Sequence, residues 1–416
     1  MNSINLFLMD MNTSGNTTGV DRYIGVLLEG LKSYPFVQVV HVNFRFDPNL
    51  LLSTDRQKDG YREVVVPLPQ HPDKIITEGF WMQRYCGLVY DMTRYLFEGK
   101  KNCILHLHTL NLIDMALLIK EHRPECRIVT HLHCIPWKGL YNRNMAMFNR
   151  LYEQVYILHD TSCIKDWRQF PGEIKSYTHS DCVICVTRCA CQFLNNLQGV
   201  AVCPTFVIPN GIYDANTPKA IRHQGKGCFQ LLYVGVLSPS KGLSFILKAL
   251  QILREQHYEV SLTIVGKGER GLEKELKKTY KELSLHFTGI ISFKELKDYY
   301  CTCDAGVIAS LQEQCSYVAI EMAMFGLPIV TTAVDGLDEM FNDEVNALKV
   351  PLGYSKEDGL SVDIDTMAKQ ISRLIDDKQL RKKLARNVRR LYEEKFRLAD
   401  MMERTIAVYK DLTKEF

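Results

Sequence analysis

Two glutamates in the C-terminal half of the chain are spaced in a way that suits a hydroxylated ligand. Glu313 and Glu321 are separated by seven residues within SLQEQCSYVAIEMAMFGLPIVTT, residues 310–332. The pattern predicts a strand end, a loop, a helix, a glycine stop and another strand. Because ligands of open α/β sheets bind at the carboxyl ends of strands, Glu313 is expected at a binding crevice. Glu321, farther along, can accept hydrogen bonds from vicinal hydroxyls such as those of a ribose.

The start of the same helix favours an anion. Ser316 is a candidate N-cap, and Gly326 with Pro328 would end the helix. The amides near Ser316, Tyr317 and Val318 would then face the same crevice as Glu313. Since the first N–H groups of a helix have no partner within the helix, they suit a phosphate.

The alternative is that both glutamates are solvated helix residues. Glu321 fits this alternative poorly, because it stands between Ile320 and Met322 in the apolar stretch VAIEMAM. A carboxylate in such surroundings requires a partner. The pattern therefore favours a binding role.

The segment GKGERG, residues 266–271, is similar to a dinucleotide-binding fingerprint. The fingerprint also needs an acidic residue at the end of the following strand, and that strand reads LHFTG, without one. The segment also follows the second strand of its set rather than the first. We therefore expect no NAD site, and expect Gly266 and Gly268 to let backbone approach a nucleotide.

Three histidines lie at predicted strand ends. His131 and His133 occur in VTHLHCIPWKG, and the alternation of a strand places them on one face. They could be surface residues or a metal-binding pair. His108, in LHLHTLN, occupies a similar strand end and is expected to be structural.

Short apolar runs alternate with helical patterns along the whole chain, which predicts an α/β protein with mostly parallel sheets. Strands are predicted in two sets, at residues 4–9, 38–44, 62–67, 104–108, 128–133 and 182–186, and then 231–235, 261–265, 285–288, 305–309, 328–331 and 347–350. Helical patterns cover residues 21–34, 77–98, 112–122, 142–160, 364–376, 379–394 and 398–414. A basic, glycine-containing segment at 219–227 separates the sets. The domains are predicted at 1–206, joined by helix 396–416, and at 207–395.

Bulk composition excludes several classes of protein. The chain has 416 residues, 46% hydrophobic and 24% charged, which is typical of a globular protein large enough for two domains. A net charge of +3 is too small to indicate nucleic acid. No apolar run of about eighteen residues and no signal-peptide pattern occurs, so a cytoplasmic protein is expected. Aromatic-basic helices at 80–101 and 138–156 leave a weak contact with the inner membrane face open, although core packing fits their aromatic spacing better.

The fourteen cysteines are scattered, and several lie in apolar runs. Free buried thiols in a reducing compartment fit this distribution. A zinc site at Cys182, Cys185, Cys189 and Cys191 is the alternative. It is disfavoured because the first two lie in a strand-like run, where residues three apart face opposite sides.

Several segments together resemble family 4 glycosyltransferases, a retaining group with the GT-B fold. Residues 310–332 resemble the family's E-x7-E motif. TTGVDRY, which contains Gly19, is similar to its glycine loop, and VIPNGI to its domain-joining turn. YVGVLSPSKG, with Gly235 and Lys241, resembles the first strand and phosphate loop of the donor domain, and IVGKGE the next strand end. These segments occur in the family's order, and the similarity extends over nearly the whole chain.

The resemblance implies two Rossmann-like, doubly wound domains facing a cleft, with the C-terminal helix crossing back to the first domain. It implies a nucleotide-sugar donor, UDP-linked rather than GDP-linked, and no metal or other cofactor. Lys241 would bind the diphosphate, Glu313 the donor sugar and Glu321 the ribose. His133 is the better match to a family histidine beside the donor sugar. The acceptor could be a glycan, a lipid-linked glycan or a peptide.

Two positions depart from the family. Val236 stands where an arginine commonly follows the phosphate-loop glycine, and Cys315-Ser316-Tyr317 replaces a common Phe-Gly-Leu. The first departure leaves Lys241 as the main cation, with Lys267 or Arg22 as candidates to assist it. It also supports a rival reading of the sequence, a non-catalytic nucleotide-sugar-binding protein derived from a transferase.

Overall fold

The computed structural model describes residues 3–12, 18–69, 79–135, 145–162, 171–215 and 227–414. Contacts divide the chain into two compact units. The first unit comprises Met1–Pro136, His159–Pro209 and Leu398–Phe416, and the second comprises Trp137–Leu158 and Asn210–Arg397. The prediction from sequence assigned the whole of 137–158 to the first domain, whereas the described part of that segment packs on strand Gly359–Val362 of the second unit.

An eight-stranded sheet forms the centre of the first unit. The strands are β1 (Ile4–Asn12), β2 (Val37–Arg45), β3 (Thr54–Lys58), β4 (Tyr61–Pro67), β5 (Cys103–Leu107), β6 (Arg127–Leu132), β7 (Cys182–Cys185) and β8 (Thr205–Val207). Their order in the sheet is β3-β4-β2-β1-β5-β6-β7-β8, and only β3 pairs antiparallel. The central strands are buried along their length, as expected when both faces are covered.

Helices cover this sheet. They are α1 (Gly19–Leu31), α2 (Gly79–Thr93), α3 (Ile113–His122), α5 (Pro171–His179), α6 (Arg188–Asn195) and the C-terminal α14 (Leu398–Leu412). The intervening helix α4 (Met145–Tyr152) belongs to the second unit. Helix α14 packs on α1, which accounts for its place in the first unit. Its buried face includes Met401, Met402, Ile406 and Tyr409.

The second unit has a six-stranded parallel sheet and a hairpin. The strands are β9 (Phe229–Val234), β10 (Val260–Val265), β11 (Ser284–Gly289), β12 (Ala305–Ile308), β13 (Ile329–Thr332) and β14 (Leu348–Val350), followed by the hairpin β15 (Leu352–Ser355) and β16 (Gly359–Val362). The sheet order is β11-β10-β9-β12-β13-β14. The helices are α4 (Met145–Tyr152), α7 (Leu243–Glu255), α8 (Leu272–Thr279), α9 (Phe293–Thr302), α10 (Tyr317–Met324), α11 (Asp335–Met340), α12 (Ile364–Asp376) and α13 (Lys378–Lys395).

The prediction of parallel α/β architecture is confirmed, and each predicted strand overlaps an observed one. The short edge strands β3 and β8 and the hairpin β15–β16 were missed. Residues 54–58 read TDRQK, which lacks the apolar residues that mark a buried strand. The starts of the predicted helices 77–98 and 142–160, Thr17 of the glycine loop, and residues 219–226 lie outside the described residues.

Within the described ranges, no helix combines the length and the apolar character that crossing a membrane requires.

Candidate functional site

The second sheet reverses its strand order at β9. From β9, the chain places β10 and β11 on one side and β12 to β14 on the other. In open α/β sheets, ligands bind at such a switch point, beyond the carboxyl ends of the strands. The loops that leave β9 and β12 meet there, since the Leu311 amide donates to the Ser240 carbonyl at 2.8 Å. These loops carry the predicted phosphate loop and the first glutamate of the E-x7-E segment.

Lys241 and Glu313 face each other across these loops. The Lys241 Nζ lies 2.5 Å from the Glu313 Oε2, and the Ser310 hydroxyl lies 3.4 Å from the same oxygen. The side chains are 34% and 17% exposed, so a ligand can reach both. The structure therefore brings together the two residues to which the sequence assigned diphosphate and sugar binding.

Two glycines permit the close packing of these loops. Gly242 has a φ of +71°, and a Cβ there would lie 1.9 Å from the Ala309 carbonyl oxygen. Gly266 has a φ of +144°, and a Cβ there would lie 1.9 Å from the carbonyl oxygen of Gly235. At both positions, the backbone of a neighbouring loop within the protein lies too close for a side chain, so only glycine fits. At Gly268 the crowding comes from side chains, those of Leu237 and Leu272.

Helix α10 begins as predicted. The Ser316 side chain accepts a hydrogen bond from the Ala319 amide and so caps the helix, which starts with Tyr317 and Val318. Gly326, with a φ of +58°, follows the last turn and ends it. The amino end of α10 follows the Glu313 loop directly.

The loop before α10 is fastened by contacts that the sequence did not predict. The Asn210 side chain donates to the Cys315 carbonyl at 2.8 Å, and the Asn210 amide contacts the Cys315 sulfur at 3.3 Å. The Gly336 amide donates to the Glu313 carbonyl at 2.9 Å. The P-N-G turn and the cysteine that departs from the family pattern therefore hold the Glu313 loop together.

Glu321 is buried in α10, and its Oε2 accepts a hydrogen bond from the Tyr300 hydroxyl at 2.6 Å. This tyrosine, on α9, is the partner that a carboxylate among apolar residues requires. Sequence patterns could not identify it, because Tyr300 lies 21 positions away on another helix.

Tyr233 is a further residue that the sequence analysis missed. It is the second-to-last residue of β9, and its hydroxyl donates to the Val236 carbonyl at 3.0 Å. Burial raises the pKa of its phenol, and the nearby Glu313 carboxylate raises it further. Val236 itself is 61% exposed, so the position lacking the family's arginine faces solvent.

Two predicted site residues, Gly19 and His133, belong to the first unit. Gly19 opens α1, behind a capping box formed by Thr18 and Asp21, and a Cβ at Gly19 would meet nothing within 4 Å. The His133 Nε2 lies 3.0 Å from the His108 Nδ1. Burial lowers the pKa of His133 to about 3, which keeps its imidazole neutral. Arg22, named as an assisting cation, lies in α1, and Lys267 follows β10.

None of the thirteen cysteines within the described residues is in a disulfide bond, and seven of them are buried. In the same part of the chain, the grouping of side chains that could hold a metal is His106, His108 and His131, and the Cys182 to Cys191 cluster forms no such group. His106 was missed, although it precedes His108 by two residues in LHLH and alternation would have placed both on one face.

Comparisons with known proteins agree with this architecture. Residues 228–377 match the family model described as Glycosyl transferases group 1. The chain is 29% identical to a glycogen synthase of Mycobacterium tuberculosis over 233 residues, 55% of this chain and 54% of that protein. The chain thus spans about half the length of the first curated relatives it matches.

Solved structures share the fold over nearly the whole chain. Sucrose-phosphate synthase from Thermosynechococcus elongatus superposes with a TM-score of 0.73 at 18% identity, covering 98% of both chains. Anabaena HepE, solved in complex with UDP-glucose, gives a TM-score of 0.68 at 16% identity, covering 97% of this chain and 99% of that one. The fold is therefore GT-B, with two Rossmann-like domains. The chain resembles family 4 glycosyltransferases, as its motifs predicted, and the family model covers residues 228–377 of it.

Proposed function

We propose that this protein is a retaining glycosyltransferase that moves a hexosyl group from a nucleotide sugar to an acceptor, without a metal ion at the donor site. The Lys241–Glu313 pair at the switch point of the second sheet is the observation that carries the proposal. The HepE complex with UDP-glucose supports a UDP-linked donor over a GDP-linked one.

Each side chain of the second unit has a distinct role in this proposal. Lys241 and the amides of Ser316, Tyr317 and Val318 bind the diphosphate and stabilise the charge that grows on it as the sugar leaves. Glu321 binds the ribose hydroxyls.

Glu313 binds sugar hydroxyls and supports the positive charge that develops at the anomeric carbon. Because Lys241 neutralises Glu313 before the donor arrives, diphosphate binding would draw the lysine away and free the carboxylate for the sugar. This exchange couples donor binding to activation of the site.

From the resemblance to the family, His133 and Gly19 are also proposed to bind the donor. A neutral His133 can donate one hydrogen bond to a sugar hydroxyl while its Nε2 stays with His108. No side chain is assigned as a nucleophile. The leaving phosphate accepts the acceptor's proton on the face where the new bond forms, which retains configuration.

The acceptor is proposed to be a glycan, a lipid-linked glycan or a peptide. Free cysteines throughout the described residues support a reducing compartment, so the protein is proposed to act in the cytoplasm. Contact with the inner face of the membrane would follow if the acceptor is lipid-linked.

The second candidate is a nucleotide-sugar-binding protein without transferase activity. The exposed Val236 in place of an arginine favours it, because one cation near the diphosphate is absent from that loop. The two candidates differ in turnover. An enzyme releases free nucleotide from its donor on prolonged incubation, whereas a binder leaves the donor intact.

The test is a thermal-shift screen of UDP, GDP, ADP and their sugars, followed by assay of nucleotide release from the best ligand. A UDP-selective rise in Tm with UDP release supports the proposal. A UDP-selective rise without release supports the binder. No shift with any of the nucleotides contradicts both.

A further inference from the structure

Four imidazoles gather on one face of the first sheet. His106 lies in β5 and His131 in β6, and His108 and His133 follow two residues later on each strand. Their ring centroids are 4.2 Å apart for His106 and His108, and 4.3 Å for His131 and His133. Tyr23 of α1 packs against this group, 4.5 Å from the His131 ring centroid. The proposed donor chemistry uses only His133, so the other three histidines have no assigned role.

Hydrogen bonds fix two of these rings from behind. The Tyr409 hydroxyl, on α14, lies 2.6 Å from the His106 Nδ1, which leaves the His106 Nε2 facing the cluster. The His133 Nε2 lies 3.0 Å from the His108 Nδ1, which leaves the His108 Nε2 for another partner. Ligating histidines typically have their second nitrogen held in this way.

The Nε2 of His108 is buried without a hydrogen-bond partner among the described residues. Leaving a buried polar atom unpaired is costly, and such atoms call for a ligand or water.

The spacing of the nitrogens also fits a metal. One ring nitrogen from each of His106, His108 and His131 can be chosen so that all three lie within 4.8 Å of one another. The His106 Nε2 and His131 Nδ1 are 3.2 Å apart and hydrogen-bonded to each other, a contact that a shared metal ion would replace. Two nitrogens on one tetrahedral zinc ion are about 3.3 Å apart, given Zn–N bonds of about 2.0–2.1 Å.

We propose that His106, His108 and His131 form a zinc-binding site inside the first unit, with Tyr409 and His133 orienting two of the ligands. Three imidazoles suit zinc, whereas Mg2+ and Ca2+ require oxygen ligands. The ion would fasten β5 to β6 and, through Tyr409, to the C-terminal helix. The site does not include Lys241, Glu313 or Glu321, and it shares only His133, which orients His108, with the proposed donor contacts. The expectation of no metal followed from the family resemblance and concerned the donor site, not this group of histidines.

The test is the zinc content of the full-length protein after loading with zinc and extensive dialysis. We expect about one zinc ion per folded chain. His108→Gln and His131→Gln should lose the ion, while His122→Gln, which alters an exposed histidine of α3, should retain it. Tyr409→Phe should bind zinc about 10–100-fold more weakly, since it loses an orienting partner rather than a ligand.

Cobalt binding by the unaltered protein, followed by its absorption spectrum, tests the zinc site even if the histidine variants fail to fold. Nitrogen ligands predict weak visible bands, without the intense near-ultraviolet absorption of cobalt bound to thiolate. A folded wild-type chain that takes up neither zinc nor cobalt would overturn the proposal. Intense thiolate-to-cobalt absorption would also overturn it. So would a full zinc content in both the His108→Gln and the His131→Gln variant.

Discussion

The Lys241 ammonium and the Glu313 carboxylate are joined at 2.5 Å although the residues are 72 positions apart. One lies in the loop after β9 and the other in the loop after β12, the two strands that flank the switch point of the second sheet. The pair stabilises both loops in the arrangement that a donor would meet. It also keeps two opposite charges close until a diphosphate competes for the lysine.

Lys241→Ala should reduce turnover more than donor binding, because the charge on the diphosphate grows in the transition state. We expect a fall of about 100-fold in kcat, with donor affinity about tenfold weaker. Lys278→Ala is the matched control, since Lys278 is an exposed cation of α8 with no assigned role at the donor site. Steady-state kinetics of both variants provide the measurement. Equal losses in the two variants would show that Lys241 has no special role.

Glu321→Gln should weaken nucleotide binding by about ten- to a hundredfold, the effect of losing one charge-assisted hydrogen bond. Tyr300→Phe removes the hydroxyl that holds the same carboxylate and leaves the charge in place. We therefore expect a smaller loss of affinity for Tyr300→Phe in calorimetric titrations with UDP. Unchanged affinity in Glu321→Gln, with the fold intact, would remove the ribose assignment.

Gly266→Ala should destabilise the second unit by about 2–4 kcal/mol, because φ is +144° and the new Cβ would meet the Gly235 carbonyl at 1.9 Å. Gly19→Ala is the control. Gly19 starts a helix, and a Cβ added there would meet nothing within 4 Å. The free energy of unfolding of Gly19→Ala should therefore differ from that of the wild type by no more than about 0.5 kcal/mol. Denaturant titrations compare the two. Equal free energies of unfolding for the two variants would show that the loops after β9 and β10 move easily to accommodate the new Cβ.

Glu173 should make stability depend on pH. Burial raises the pKa of this carboxyl to about 8, although the Tyr177 hydroxyl lowers it in part. The folded state thus holds a proton that the unfolded state loses near the ordinary glutamate pKa of 4.5. The stabilisation from this proton is complete below the ordinary value and is lost as pH rises toward the folded one.

Glu173→Gln stays neutral at every pH and can keep the contact with Tyr177. Its free energy of unfolding should match that of the wild type near pH 4 and exceed it by about 1–3 kcal/mol near pH 9. Urea denaturation at both values provides the measurement. A constant difference between the two proteins would show that Glu173 is ionised in the folded state at neutral pH.

The sequence predicted those features of fold and site that depend on local pattern. The strands of both sheets, the Ser316 cap and the Gly326 stop follow from periodicity and from the chemistry of helix ends. The meeting of Lys241 and Glu313 followed from topology, since parallel strands bring their carboxyl ends to the same edge of a sheet.

Contacts between distant segments could not be predicted in this way. Tyr300 is paired with Glu321, and Asn210 with Cys315, by packing between elements far apart in the chain. The histidine cluster depends on the register of β5 relative to β6 and on Tyr409 from the last helix. The strand-end histidines were visible in the sequence, but their mutual distances were not.

The most direct test of a metal-independent sugar transfer at the Lys241–Glu313 site is UDP release from a panel of UDP-hexoses in excess EDTA. Wild-type protein should release UDP from at least one donor, and Glu313→Gln should be slower by about 100-fold. Zinc content is followed in the same samples, so that loss of an ion from the first unit is recognised. With a suitable acceptor, the product should keep the anomeric configuration of the donor, as read by NMR. Release that stops in EDTA and returns with Mn2+, or that is unchanged in Glu313→Gln, would contradict this account.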